Sequence, residues 1–432
     1  MICVYTAFPG NRIEYALHVL FGAVGLPYQI IHDEAAFMAS DGIKICYGNA
    51  SPPGVLNIMP SGILRDGAIA PAHLPCGRWH DVPTLFHHGL GECGFDLPGA
   101  VFWLSSRMEE YGSVIRDNLG RYDDCQSLTV RHGWHNRPLI DEWRNHLLAL
   151  LAERFPGQCP KLPSGGGEVT VDVDSAFAYR HKGLYRTAGA LVRDLICGNR
   201  KTLGERMAAL TGKAQDPYDT YAYIQETCRR HGVSLRWFFL LADFGAHDKN
   251  LSYRRPALRT LIRTLTGESP VGIHPGMGSH TSRVKLKTEI GRLQEITGMA
   301  VTDSRQHYLR LELPLTYRRL EALGIRADHS MGYAFDTGFR LGTTWPVRWY
   351  DADAERMSDL LLVPFCAMDT SLRKYQRMTP AAACERLGEL HQLVRATGGH
   401  FRVLWHNESV SGHGEWKGWK PVFEEACRLA GQ

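Results

Sequence analysis

Eight consecutive residues, 168–175 with the sequence EVTVDVDS, constrain the fold of this chain most strongly. Polar and β-favouring residues alternate there with a period of two, which predicts a β-strand. The alternation puts Asp172 and Asp174 on the same face, roughly 6.5–7 Å apart along the strand. Two carboxylates at the carboxyl end of a strand are costly unless they bind a cation, take part in chemistry or face water in a loop. The pattern alone leaves these alternatives open.

Beyond this stretch, strand patterns alternate with helix patterns, which is typical of a parallel α/β architecture. The sequence predicts seven strands, at 169–174, 235–242, 271–274, 300–304, 325–329, 360–365 and 401–406. The clearest helices between them are 281–297, 314–323 and 380–397. A long first connection, 176–233, holds further helices around 187–197 and 219–231. Seven strands with interleaved helices favour an incomplete barrel over a flat, doubly wound sheet.

The first 160 residues are predicted to form a separate, smaller α/β domain. Its short strand patterns lie at 3–7, 28–31, 43–47 and 55–58, and its helix patterns at 12–25 and 138–155. Residues 71–98 are rich in Pro, Gly and His and show no clear period. A Pro- and Gly-rich linker at 161–167 then leads into the barrel, predicted to span 168–432.

Composition excludes several classes of protein. The 432 residues are 44% hydrophobic, enough for a sizeable core, and the net charge of +4 is too small to argue for nucleic acid or a membrane surface. Eleven cysteines without a CxxC pair indicate buried free thiols and neither a disulfide framework nor a zinc knuckle. No basic, apolar leader starts the chain, and no apolar run approaches the ~18 residues of a membrane span. We therefore expect a cytoplasmic protein.

Polar side chains follow five of the predicted strands, at the point where each strand ends. These ends carry Asp172 and Asp174, then His274 with His280, then the run Arg305-Gln306-His307-Tyr308, then Asp328-His329, and finally Trp405-His406-Asn407. In (β/α) barrels the chemistry lies at the carboxyl ends of the strands, so these groups are expected to meet at one mouth. A single histidine at a strand end is usually structural. Polar groups on five ends are harder to attribute to packing.

Four of these segments resemble, in order and spacing, the motifs of the polysaccharide deacetylases (carbohydrate esterase family 4). They are Thr170-Val171-Asp172-Val173-Asp174, Gly272-Ile273-His274, Arg305-Gln306-His307-Tyr308 and Leu404-Trp405-His406-Asn407. The resemblance covers the chain from about residue 168 to its end. It implies an α/β fold, a distorted seven-stranded (β/α) barrel preceded by a smaller α/β domain, in which the barrel holds one divalent metal, often zinc. The first 160 residues resemble an uncharacterised domain found ahead of such modules in bacterial proteins, which implies no function.

The resemblance also implies a role for each motif residue. Asp172 corresponds to the catalytic base, and Arg305 would orient it. Asp174 and His274 correspond to metal ligands, and His406 to the general acid. A metal with two histidines and one carboxylate keeps a position open for water and activates it, which agrees with these roles.

The second histidine ligand of the family normally falls four residues after the first, and that position is Gly278. Six residues are ample for a loop to fold back, so we expect His280 to complete the metal site. Contacts with the substrate are expected from three further residues, Tyr308, Trp405 and Asn407.

The sequence thus predicts a metal-dependent hydrolase that removes acetyl groups from an N- or O-acetylated sugar or glycan intermediate. The lack of an export signal favours a cytoplasmic or lipid-linked sugar, or a smaller amide. One alternative is a catalytically silent member that binds glycan on an aromatic surface, and another is a hydrolase of some other small-molecule C–N bond. The aromatic surface would comprise Tyr333, Trp345, Trp405, Trp416 and Trp419, which we interpret instead as core and C-terminal packing.

Overall fold

A computed structural model describes residues 1–49, 52–67 and 74–432. The strands in these ranges are β1 (Ile2–Tyr5), β2 (Tyr28–Ile31), β3 (Ile43–Tyr47), β4 (Leu56–Ile58), β5 (Cys76–Trp79), β6 (Val82–Leu85), β7 (Gly167–Val173), β8 (Ser234–Leu240), β9 (Val271–His274), β10 (Asp303–Ser304), β11 (Ala327–Asp328), β12 (Val347–Asp351), β13 (Arg356–Leu362), β14 (Ala367–Met368) and β15 (Phe401–His406).

The α-helices in the same ranges are α1 (Asn11–Leu20), α2 (Glu34–Ala39), α3 (Leu97–Ser105), α4 (Leu128–Arg131), α5 (Leu139–Arg154), α6 (Leu184–Ile196), α7 (Arg200–Leu210), α8 (Tyr221–Arg230), α9 (Pro256–Thr266), α10 (Arg283–Thr297), α11 (Leu315–Glu321), α12 (Pro380–Thr397) and α13 (Lys420–Ala430).

The amino-terminal part contains a four-stranded parallel sheet in the order β2-β1-β3-β4. Ile2 and Val4 lie on one face of β1 and Cys3 on the other, and all three are buried, because helices cover the sheet on both sides. The predicted bounds of β2 and β3 are confirmed. In the stretch that showed no period, β5 and β6 form an antiparallel hairpin of four-residue strands, too short for a clear alternation. Residues 71–73 of that stretch lie outside the described ranges.

The carboxyl-terminal part is built on a nine-stranded sheet in the order β12-β13-β11-β10-β9-β8-β7-β15-β14. Every neighbouring pair is parallel except β12 and β13. The seven predicted strands form the continuous run from β13 to β15 in this order. The strand count of seven is therefore too low, since β12 and β14 extend the sheet. Strand pairing within residues 74–432 does not join β12 to β14, so a closed barrel is not shown.

The parallel register brings the predicted motif residues to the same edge of the sheet. His406 at the end of β15 is paired with Asp172 on β7, and His274 at the end of β9 is paired with Leu240 on β8. Ser304, which immediately precedes Arg305, is paired with Ile273. The side chains that follow these strands therefore emerge close together, as expected from the carboxyl ends of parallel strands.

Buried polar contacts join the amino-terminal part to the segment that precedes β12. Glu110 accepts hydrogen bonds from Arg107 at 2.7 Å and from Arg340 at 2.7 and 3.0 Å. Asp141 accepts from the hydroxyl groups of Thr343 and Thr344. Such contacts between the two parts are fixed and specific, since each of the two carboxylates is almost fully buried.

The predicted linker is partly structured. Gly167 belongs to β7, and the backbone N–H of Gly165 donates to the carbonyl of Gly398 at 2.9 Å. The division into domains at 160 and 168 stays a prediction.

No helix in the described ranges is long and apolar enough to cross a bilayer. The eleven cysteines, all within the described ranges, form no disulfide bond, and the predicted burial is wrong for Cys76, Cys125 and Cys197, which are exposed.

Candidate metal centre

Three side chains at the carboxyl ends of β7, β9 and β10 converge on one point. Ligand atoms of Asp174, His274 and His307 all lie within 4.8 Å of one another. His274 Nε2 is 3.2 Å from Asp174 Oδ1, and His307 Nε2 is 3.5 Å from Asp174 Oδ2. Two imidazoles and one carboxylate form a donor set that suits zinc and similar divalent metals and leaves a position open for water.

The second nitrogen of each imidazole has its own partner. His274 Nδ1 lies 2.7 Å from the carbonyl oxygen of Arg305, and His307 Nδ1 lies 2.9 Å from Asp248 Oδ1. An acceptor on Nδ1 assigns the proton to that nitrogen and leaves the lone pair of Nε2 facing the cluster. Backbone carbonyls and carboxylates orient metal-binding histidines in this way.

Two buried atoms in the cluster fit a cation. Asp174 Oδ1 and His274 Nε2 are buried and have no hydrogen-bond partner, although buried polar atoms normally have one. Burial alone would raise the pKa of Asp174, but His307 and His274 beside it hold that pKa well below its usual range. Burial lowers the pKa of His307, but Asp174 and Asp248 outweigh it and raise the value to about 9. A bound metal cation could therefore replace the proton on His307 as the positive charge that neutralises Asp174 and Asp248.

Asp172 lies beside the cluster and is held by Arg305. Arg305 Nη1 donates to Asp172 Oδ1 at 3.1 Å and to the hydroxyl of Thr170 at 2.7 Å, while its Nε donates to the carbonyl of His329 at 2.9 Å. Asp172 Oδ2 lies 3.8 Å from His274 Nε2. The arrangement fixes one carboxylate oxygen on a buried guanidinium and turns the other towards the cluster.

His406 forms a second buried pair with Asp369, which follows β14. His406 Nδ1 lies 2.8 Å from Asp369 Oδ1, and Asp369 also accepts from the backbone N–H of His406 and from the hydroxyl of Ser409. Burial lowers the pKa of His406, but Asp369 outweighs it, and Asp174 and Asp172 add to the effect, so that the value is about 10. The imidazole is therefore protonated at neutral pH and lies within electrostatic reach of both acids on β7.

Tyr308 lies at the rim of the site. Its ring stacks on the ring of His307, with centroids 4.0 Å apart, and part of it remains exposed. Tyr308 and Leu309 have φ values of 61° and 56°, a region that side chains other than glycine seldom adopt. Strained backbone of this kind is concentrated at functional sites.

The structure does not bring His280 to the cluster. Its Nε2 lies 3.2 Å from Glu312 Oε2, and the loop after β9 is fixed by Ser279, whose backbone N–H donates to the carbonyl of Gly276. This turn carries His280 away from His274. The third donor of the cluster is His307, two residues after Arg305. The expectation that His280 completes the site therefore disagrees with the geometry.

Two of the expected substrate residues are buried. Trp405 is fully buried because it alternates with His406 along β15 and points to the opposite side, where its ring packs against Phe423. Asn407 donates to the carbonyls of Ser175 at 3.1 Å and Tyr218 at 3.0 Å and is also buried. Both residues support the fold around the site, and neither side chain is available to a substrate.

The aromatic surface considered for glycan binding is not exposed. All five of its members are at most 8% exposed: Tyr333, Trp345, Trp405, Trp416 and Trp419. Their interpretation as packing residues agrees with this burial.

Two acids at the site were missed by the sequence analysis. Asp248 follows β8, one of the two predicted strands whose ends had been assigned no polar group, and a search of the loop after that strand would have found it. Asp369 follows β14, which has only two residues and gives no readable pattern. Its role depends on the partner His406, which is distant in sequence.

A sizeable cavity lies away from this cluster. It measures about 1030 Å³ and lies at the carboxyl ends of β1, β3 and β4, between Phe8, Tyr47 and Met59. Its lining carries none of the residues of the metal centre. This cavity and the clustered ligand atoms are therefore separate features of the molecule.

Residues 2–156 match the model of a family described as a family of unknown function (DUF7033). The match agrees with the expected resemblance of the first 160 residues to an uncharacterised domain. No curated protein matches the chain.

The chain is similar to several solved structures. One is a protein from Mycobacterium smegmatis provisionally described as a polysaccharide deacetylase, with 16% identity, a TM-score of 0.38, and coverage of 62% of this chain and 86% of that one. A second is the polysaccharide deacetylase Bc1974 from Bacillus cereus, with 11% identity, a TM-score of 0.29, and coverage of 61% and 86%. A third is a mutant of BA3943, a CE4 family pseudoenzyme with restored enzymatic activity, with 12% identity, a TM-score of 0.24, and coverage of 58% of both chains. These values are low, so we base the functional proposal on the residues of the site.

Proposed function

We propose that this protein is a metal-dependent hydrolase that removes acetyl groups from an acetylated sugar. One observation carries the proposal: Asp174, His274 and His307 turn ligand atoms towards one point, and two of these atoms are buried without a hydrogen-bond partner. We assign the three residues as ligands of one divalent cation, with zinc as the first candidate. Such a cation polarises a carbonyl and lowers the pKa of a water from ~15.7 towards ~7.

Asp172 is assigned as the general base. Its Oδ2 faces the cluster, where it can accept a proton from the attacking water, and Arg305 keeps the carboxylate in that orientation through Oδ1. Holding the base and the water in fixed positions lowers the activation barrier, because the entropy cost of bringing them together has already been met on binding. Arg305 thus acts as a positioning residue for Asp172.

His406 is assigned as the general acid. Its pKa of about 10 keeps the imidazole protonated at neutral pH, and Asp369 fixes Nδ1 and leaves Nε2 free to donate. Cleavage of an amide requires that the departing nitrogen gain a proton, which this group can supply. Base and acid therefore carry opposite charges before the reaction, as proton abstraction and proton delivery demand.

The acetylated sugar is proposed from the motif resemblance, and Tyr308 is its expected contact. The partly exposed ring of Tyr308 beside His307 offers a flat apolar face of the kind on which sugar rings stack. The hydroxyl of Tyr308 donates to the carbonyl of His247 at 3.3 Å, which holds the ring at the rim.

The test is release of acetate from N- and O-acetylated oligosaccharides by the purified protein. The protein is stripped with a chelator and then reloaded with one equivalent of zinc, cobalt or nickel. Activity that disappears on stripping and returns on reloading supports the proposal. Acetate release that is unchanged in the stripped protein, or absent on every acetylated sugar in the reloaded protein, contradicts it.

A further inference from the structure

Helix α6 exposes an apolar stripe to solvent. At 100° per residue, five of its large side chains fall within ~120° of the helix circumference, and these are Leu184, Tyr185, Val192, Leu195 and Ile196. Their exposed fractions are 88, 96, 54, 63 and 81% respectively. Surface helices normally turn such a stripe towards the core. In α6 the stripe points the opposite way.

Polar contacts hold the other face of α6 against the protein. Asp194 is buried and forms an ion pair with Arg206 of α7 at 2.8 Å. Arg186 donates to the carbonyls of Lys249 and Asn250 at 3.1 Å each, and its guanidinium lies 4.0 Å from the ring centre of Phe244. These specific contacts fix the orientation of the helix, so the outward stripe is a property of the fold.

The surroundings of α6 are strongly basic. Residues 180–213 contain eight Lys or Arg and two Asp or Glu, a net charge of +6, whereas the whole chain carries +4. A cavity of about 460 Å³ beside α6 is lined by Lys182, Arg186, Arg254 and Arg255 together with the exposed ring of Phe244. Burial and the neighbouring Arg186 lower the pKa of Lys182 to about 8, which reflects the crowding of cations.

We propose that the outward face of α6 docks onto an anionic lipid surface. An apolar stripe flanked by Lys and Arg is the pattern of a helix that lies in the membrane interface, where the apolar side chains enter the acyl boundary and the cations meet lipid phosphates. A second copy of the chain fits less well, because a symmetric contact through α6 would bring two surfaces of the same strong positive charge together. The inward face of α6, opposite the docking face, lies near the metal centre: Arg186 donates to the carbonyl of Lys249, and the neighbouring Asp248 contacts His307.

The test is sedimentation of the full-length protein with vesicles. We expect binding to vesicles of phosphatidylcholine with 30% phosphatidylglycerol, and at least tenfold weaker binding to phosphatidylcholine alone. The double variant Leu195→Gln/Ile196→Gln should lose at least tenfold in affinity. The double variant Arg193→Gln/Lys201→Gln should lose about fivefold for each charge removed.

The matched control is Val284→Gln on α10, which removes an apolar side chain that is 76% exposed outside this face. It should bind vesicles as the wild type does. No binding to anionic vesicles, or binding that the α6 variants leave unchanged, overturns the proposal. Light scattering without vesicles should give a monomer. A dimer that Leu195→Gln/Ile196→Gln dissociates would assign the face to a second copy and also overturn it.

Discussion

His307 Nε2 lies 3.5 Å from Asp174 Oδ2, although His307 follows β10 and Asp174 follows β7. The imidazole reaches this point although β8 and β9 lie between those strands in the sheet, and Asp248 holds it there through Nδ1 at 2.9 Å. The third donor atom of the cluster thus comes from the motif that also supplies Arg305, and it does not come from the loop after β9.

This relationship predicts opposite behaviour for two histidine variants. His307→Ala should lose most of the bound metal, because it removes one of three proposed ligands. His280→Ala should keep it, because His280 contacts Glu312 instead. Metal content per chain, measured by elemental analysis after the same mild chelation, separates the two. Full occupancy in His307→Ala together with loss in His280→Ala would reverse the assignment.

The two acids of β7 should also separate metal binding from turnover. Asp172→Asn should abolish acetate release and leave the metal bound, since Asp172 is the proposed base. Asp174→Asn should lose both, because a proposed ligand is removed. The measurements are acetate release and metal content on the same preparations. Equal metal loss in the two variants would show that the assigned roles are wrong.

Proton delivery by His406 should depend on the leaving group. His406→Ala should reduce the rate on an acetamide about 10²- to 10⁴-fold, and much less on an activated acetate ester, whose leaving group needs no proton. Metal content should be unchanged, and it serves as the control. Equal losses on both substrates would remove His406 from the acid role.

The pH dependence of the rate is a second test of the roles of His406 and Asp369. The acid form of His406 is required, so kcat/KM on an amide should fall as the pH rises through the pKa of His406, which Asp369 raises to about 10. A bound cation lowers this value, so the variants are compared at identical metal loading. Asp369→Asn removes the carboxylate, and the basic limb should then move to lower pH. If the basic limb stays at the same pH in Asp369→Asn, it does not report the titration of His406 beside Asp369.

The junction between the two parts of the chain should carry a large share of the stability. Burial raises the pKa of Glu110, but Arg340 and Arg107 outweigh it and hold the pKa below its usual range. Glu110→Gln should therefore lower the free energy of unfolding by about 3–5 kcal/mol near pH 7, because the buried guanidinium of Arg340 loses its ion-pair partner and that of Arg107 keeps only Glu109. Urea unfolding measures this value.

The sign of the pH dependence follows from the lowered pKa of Glu110. The contribution of Glu110 is fully present above ~4.3, the unfolded value, and is lost as the pH falls through the lower folded pKa. The gap between wild type and Glu110→Gln should thus narrow in acid. The control is Glu425→Gln, which breaks an exposed pair with Arg428 and should cost at most about 1 kcal/mol. An equal effect of the two variants at pH 7 would contradict the account.

The sequence was most informative where a local pattern has a clear end. The bounds of β9, α12 and β15 were predicted without error, since each has a buried apolar pattern and a clear end. The edge strands β12 and β14 were missed. β14 has two residues and β12 pairs antiparallel through an irregular register, so neither follows the strand–helix alternation that guided the analysis.

In the candidate site, too, some residues could be predicted from the sequence and others could not. Asp172, Asp174, His274, Arg305 and His406 could be predicted because each lies at, or next to, the end of a strand. Contacts formed by the tertiary structure could not be read from spacing. The sequence also missed the membrane face of α6 that we propose, because the positive charge of residues 180–213 is balanced elsewhere and the whole chain shows only +4.

The most direct test of the central claim is an anomalous difference map from a crystal of the protein loaded with zinc, with data collected on both sides of the zinc absorption edge. The account predicts a single strong peak per chain that lies within bonding distance, about 2.0–2.2 Å, of Asp174, His274 and His307. A crystal of His307→Ala treated identically should lack it. A peak at His280 and Glu312, or no peak at the three residues in the wild type, would contradict the account.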